Sequence, residues 1–141
     1  MPVDVSFAAV DRGTEMFQSL RRELDLETFG INLMVLQPGK RLRVHTHERQ
    51  DEVYLVLEGT LTLVVEGEPH VLGPDQLARV GPGTRRQLTN PTPEKVVVLA
   101  LGAAGTHEGR DGLAWSSWEE EGPGREPRDV PLPGDLPVPP R

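Results

Sequence analysis

Two imidazoles and a carboxylate stand close together in the middle of this chain, as His45-Thr46-His47 and, after four polar residues, Glu52. In an extended strand, side chains two apart share a face, so His45 and His47 point the same way. Glu48-Arg49-Gln50-Asp51 reads as a turn, after which Glu52-Val53-Tyr54-Leu55-Val56-Leu57 runs back alongside and sets Glu52 opposite the histidines. Two imidazoles plus one carboxylate, with positions left open, form a facial ligand set that suits one divalent Fe, Mn, Ni or Zn ion. Tyr54 and Val56 share the face of Glu52, so the Tyr54 hydroxyl has two readings: a hydrogen-bond donor in the pocket, or plain core packing. His70 and His107 lack converging partners and read as structural or exposed, with His107-Glu108 a reserve source of a fourth ligand. Arg41, Arg43 and Arg49 read as scattered surface charge.

The elements that must hold these residues are short strands. From Phe29 to Leu101 the pattern is β throughout: Ile31, Leu33 and Val35 alternate with Asn32, Met34 and Leu36, and Leu61, Leu63 and Val65 share one face. Pro38-Gly39, Glu58-Gly59, Glu66-Gly67, Gly73-Pro74-Asp75 and Gly81-Pro82-Gly83 supply the corners. Val96 to Leu101 is a continuous apolar run that reads as a buried strand. Strands at intervals of about ten residues with such corners make an all-β sandwich or barrel. Ahead of them, residues 1–28 carry one short helix over Thr14–Leu24, with Met16, Leu20 and Leu24 at helical spacing and Thr14 as its cap. Behind them, residues 102–141 run through a Gly-rich loop and Trp115 and Trp118 into a tail with seven prolines in its last twenty residues. Composition makes that tail extended and solvated. The two tryptophans are its natural anchor, over the barrel mouth or on a second subunit.

Composition narrows the function classes. With 141 residues the chain is one domain with a single core. A net charge of −7 disfavours nucleic acid and anionic membranes as partners. The absence of cysteine removes disulfides and thiol chemistry and fits a cytoplasmic setting. No apolar run suffices to cross a bilayer, and the first residues lack the basic start and apolar run expected of a signal peptide. There is no phosphate-binding glycine loop and no strained nucleophile turn.

Gly39, five residues, His45-x-His47, four residues, Glu52, six residues and Gly59 together resemble the first signature motif of the cupin superfamily. The resemblance covers about residues 29–101 and implies a double-stranded β-helix, or jelly-roll barrel, with His45, His47 and Glu52 as metal ligands and a homodimer as the assembly. The second cupin signature is recognisable from Leu72 to Asn90, with Gly83 and Asn90 at the right separation, but Asp75 and Gly81 replace its first Gly and its Pro. Arg86 stands where the fourth ligand, a histidine, is expected. A guanidinium has no lone pair to give. Three arrangements follow: Arg86 faces inward and clamps an anionic ligand beside a three-ligand ion; Arg86 pairs with Glu52 in a metal-free barrel; or Arg86 turns to the rim and Gln87 or Arg85 faces in.

Two functions from different classes remain open. One is a metal-dependent small-molecule enzyme of oxygenase or isomerase type; the other is a metal-free, non-catalytic ligand-binding or sensing module. A weaker third is an interaction protein using the Pro137-x-x-Pro140 spacing.

Overall fold

The computed structural model describes residues 3–13, 15–103 and 111–140. Ten strands fall into two five-stranded antiparallel sheets packed face to face as a jelly-roll barrel. The first sheet contains β1 (Phe17–Ser19), β2 (Gly30–Leu36), β9 (Val96–Ala103), β4 (Asp51–Glu58) and β7 (Leu77–Val80), in that spatial order. The second runs β10 (Gly112–Trp115), β3 (Val44–His47), β8 (Arg86–Thr89), β5 (Leu61–Val65) and β6 (Glu68–Leu72). Both sheets draw on strands from outside residues 29–101.

The period-two pattern decides which side chains enter the barrel. Met34, Leu36, Tyr54, Val56, Val80, Val96, Val98 and Ala100 from the first sheet meet Leu61, Leu63, Leu72 and Leu88 from the second in one core. The central strands β2 and β9 are apolar on both faces because a second cluster lies outside the barrel. There Leu20 covers Leu33, Val35 and Val97.

The structure shortens the expected helix. Phe17–Ser19 is a strand, paired with Asn32–Met34. Only Leu20–Glu23, α1, is helical, and its cap is Ser19, whose Oγ accepts from the Arg22 amide. The helical spacing of Met16, Leu20 and Leu24 loses to a more stabilising partner, the free edge of β2. Thr14 and His107 lie outside the described residues.

The tail is laid on the barrel, contrary to its composition. Arg41 Nε donates to the Gly134 carbonyl, Lys40 pairs with Asp135 at 3.0 Å, and the Leu136 amide donates to the Gly39 carbonyl at 2.7 Å. Val130 is fully buried. Trp118 Nε1 donates to Gln87 Oε1 at 2.9 Å, and Arg85 stacks 3.9 Å over Trp115. A chain of prolines has little backbone entropy to lose, so a few side-chain contacts suffice to dock it.

Gly59 has a φ of +76°, and a Cβ there would overlap the Lys95 carbonyl oxygen; Gly67 has a φ of +81° with open space around it. Gly59→Ala is therefore expected to cost at least about 2 kcal/mol in urea unfolding, against about 1 kcal/mol for Gly67→Ala. Equal losses would contradict the close approach of the β4–β5 turn to β9.

Candidate metal centre

His45 and His47 leave β3 on its inner face, and Glu52 leaves β4. These strands belong to opposite sheets, so the expected return of β4 alongside β3 does not occur. Glu52 faces the histidines across the lumen instead, because the Glu48–Gln50 turn carries the chain from one sheet to the other. The three residues bring their ligand atoms to within 4.8 Å of one another. Glu52 Oε2 lies 3.2 Å from His47 Nε2, and Oε1 lies 3.8 Å from His45 Nε2. Two ligands at right angles on one ion, each bonded at about 2.1 Å, stand about 3 Å apart, so these separations need little change to close on a metal.

The other ring nitrogens are committed. His45 Nδ1 is 3.1 Å from the Arg43 carbonyl oxygen, and His47 Nδ1 is 2.8 Å from Asp111 Oδ1. Each acceptor fixes a proton on Nδ1 and turns Nε2 toward Glu52, where a protonated ring donates and a neutral one presents its lone pair, the arrangement that metal-binding histidines require. Asp111 is held in turn by the amides of Arg49 and Gln50 and by Gln50 Nε2. It reaches the site because β10 pairs with β3, setting Gly112 beside His47. Sequence reasoning missed Asp111. It lies 64 residues from its histidine, and only the sheet order reveals the contact.

Electrostatics favour the carboxylates as anions. Burial would raise the Glu52 pKa, but hydrogen bonds and charge from the two imidazoles hold it well below the usual range. Burial would lower that of His47, yet Glu52 and Asp111 outweigh it and leave the pKa raised. Asp111 is lowered, mainly by His47 and the two amides working against desolvation. Tyr54 is buried and donates its hydroxyl to Glu52 Oε1. Desolvation and the Glu52 charge push its own pKa well above the ordinary value. Both sequence readings of Tyr54 therefore hold at once, since its ring also packs in the core.

Arg86 faces inward. It is the register partner of His45 across β3 and β8, and it is fully buried. Its NH2 group donates to the carbonyls of Val80 and Gly81, each at 3.2 Å, while Nε and NH1 have no hydrogen-bond partner. Among the described residues it makes no ion pair with Glu52. Its charge opposes protonation of His47. Gln87 and Arg85 do not take its place; they face outward under Trp118 and Trp115. Asp75, in the position of the motif glycine, adopts a φ of +69° and so performs the glycine's turn.

A cavity of about 200 Å³ opens beside the triad. The small Ala100 and Gly102 of β9, opposite Tyr54 and Glu52, leave room for it and for a second, more polar opening past Ser19, Arg21 and Gln50. Arg43 lines the first of these cavities, which corrects its reading as surface charge. The signal was present: residues 43, 45 and 47 share one strand face. Phe17 and Pro127, also unforeseen, form part of the cavity wall. His70 is exposed on β6, away from the triad.

A model of the cupin domain family matches residues 32–102. The chain belongs to the cupin family. Among solved structures, this cupin is similar to a sugar phosphate isomerase of the cupin superfamily from Silicibacter pomeroyi, at 30% identity and a TM-score of 0.62, over 72% of this chain and 65% of that one. It is also similar to a putative sugar phosphate isomerase from Acidithiobacillus ferrooxidans, at 26% identity and a TM-score of 0.60, over 67% and 60% of the two chains. A Thermus thermophilus protein gives 26% and 0.58, over 67% and 90%. The chain thus spans less than two thirds of the first two proteins. No curated protein matches it.

Metal binding must displace a proton from His47 whenever that ring is charged, so apparent affinity is expected to fall about tenfold per pH unit below its raised pKa. Asp111→Asn removes one of the groups that raise it. Mn²⁺ titrations should show the onset of that fall at lower pH, with affinity on the alkaline plateau reduced about 10- to 100-fold. An unchanged profile would show that Asp111 does not orient His47.

Proposed function

We propose that this cupin is a metal-dependent enzyme acting on a small anionic molecule, with His45, His47 and Glu52 as ligands of one divalent Fe, Mn, Ni or Zn ion. The observation that carries the reading is the convergence of three donor atoms whose imidazoles already hold their protons on the far nitrogens. When bound, the ion would supply Lewis-acid or redox chemistry at open positions. The residues of the chain set the rest. Tyr54 holds Glu52 in one orientation, and the apolar core walls exclude water.

Charge selects the ligand. A divalent ion and the Arg86 guanidinium face two carboxylates, Glu52 and Asp111, so a net positive charge remains inside the barrel. An anionic group reaching Arg86 would neutralise it and accept from its two unpartnered nitrogens. The two relatives described as sugar phosphate isomerases favour isomerase over oxygenase chemistry. A dimeric, cytoplasmic protein is part of the same proposal, with sedimentation as the check on assembly. Among the described residues no helix is long and apolar enough to cross a membrane.

The test is elemental analysis of protein purified without a tag or added metal. Near-stoichiometric metal, lost in His47→Ala, is expected. No uptake of any of the four ions would instead favour the metal-free binding module. Arg86→His, which restores a fourth donor, is expected to tighten metal binding about tenfold or more and to weaken binding of anionic ligands. Weaker metal binding in that variant would contradict the inward position assigned to residue 86.

A further inference from the structure

The wall of the cavity beside the triad is mostly apolar, formed by Phe17, Met34, Leu42, Leu88, Ala100 and Pro127. Set into it is one half-buried cation, Arg43. The docked tail fixes its orientation, because Arg43 Nε donates to the Val130 carbonyl. Among the described residues its two terminal amino groups have no hydrogen-bond or ion-pair partner. An oriented guanidinium with its outer edge free, on the rim of an apolar cavity, is arranged to take a planar anion through two parallel hydrogen bonds.

We infer that the cavity binds a short-chain organic carboxylate, its carboxylate on Arg43 and its apolar body against Met34, Leu42 and Leu88, directed toward the triad. Size sets one limit. A cavity of about 150 Å³ holds benzene, so about 200 Å³ takes roughly eight to ten non-hydrogen atoms. Geometry sets the second: Arg43 and His45 are successive inner-face residues of one extended segment, with Cα atoms roughly 7 Å apart. A ligand of that length can meet both. Polarity sets the third. The hydroxyls of a polyol would need partners here, but the Tyr54 hydroxyl is committed to Glu52, and Asn32 and Arg43 are the polar wall residues left outside the triad. A sugar phosphate would leave several hydroxyls unpaired against Met34, Leu42 and Leu88.

This deepens the metal-dependent reading only in naming the ligand, since the Arg43 contact does not require the ion. Calorimetric titration of the full chain, Mn²⁺-loaded and metal-free, uses three probes: 4-methylpentanoate, its neutral amide, and ribose 5-phosphate. The acid is expected to bind about tenfold or more tighter than the amide. In Arg43→Gln most of that advantage should be lost, with Mn²⁺ stoichiometry and circular dichroism unchanged. Arg43→Lys should keep part of the preference, and it decides the matter if the Gln variant does not fold. The inference is overturned if the acid preference survives both substitutions, if ribose 5-phosphate binds tighter than the acid, or if neither the acid nor the amide binds. A protein that takes up no Mn²⁺ yet shows an Arg43-dependent preference for the acid would sink the metal-dependent reading and leave this one standing.

Discussion

A carboxylate kept ionised inside a largely apolar barrel is the constraint on which the rest of this structure depends. Glu52 is nearly enclosed, and desolvation alone would raise its pKa. Two imidazoles and one phenol prevent that, and each of them has to be placed. His45 and His47 come from the opposite sheet, Tyr54 from the next inward position on the same strand. The distances that hold the charge, 3.2 and 3.8 Å, are also those from which one ion could replace the contacts. The compensation of a buried charge and the preorganisation of a candidate metal site are here one arrangement.

The supporting parts follow from that need. Asp111 and the Arg43 carbonyl set the tautomers of the two rings, and they come from the entries to β10 and β3. The bed of Asp111 is the turn between β3 and β4, so the same three residues that carry the chain across the barrel also fix His47. The proline-rich tail contributes Pro127 to the cavity wall and the Val130 carbonyl to Arg43. A segment that composition makes solvent-borne is thus part of the site's enclosure.

Legibility in the sequence tracked the range of each interaction. His45, His47 and Glu52 share local spacing, and their convergence could be read from strand geometry, although the route was misjudged as a return along one sheet. Corners such as Glu58-Gly59 and Gly81-Pro82-Gly83 carry their backbone chemistry with them. The inward turn of Arg86 stayed open, because its alternatives differ by one residue of register, and the pairing with His45 decides it. Asp111 had no local mark. The helix over Thr14–Leu24 failed because β2 offered Phe17–Ser19 a ladder that no propensity scale contains. The face shared by Arg43 with the histidines was legible but was outweighed by the composition of its neighbours.

The substitution of Arg86 for a fourth ligand gives this barrel its particular character. A guanidinium with two unpartnered nitrogens, opposite His45, sets a permanent positive charge in the lumen where a fourth imidazole would not. The central claim remains the three-ligand ion. The most direct measurement is anomalous scattering from crystals of the protein soaked in Mn²⁺. The account predicts one strong peak within bonding distance of His45 Nε2, His47 Nε2 and a Glu52 oxygen, with Arg86 not coordinating. A peak only elsewhere, or Glu52 still in contact with both imidazoles and no peak between them, would contradict it.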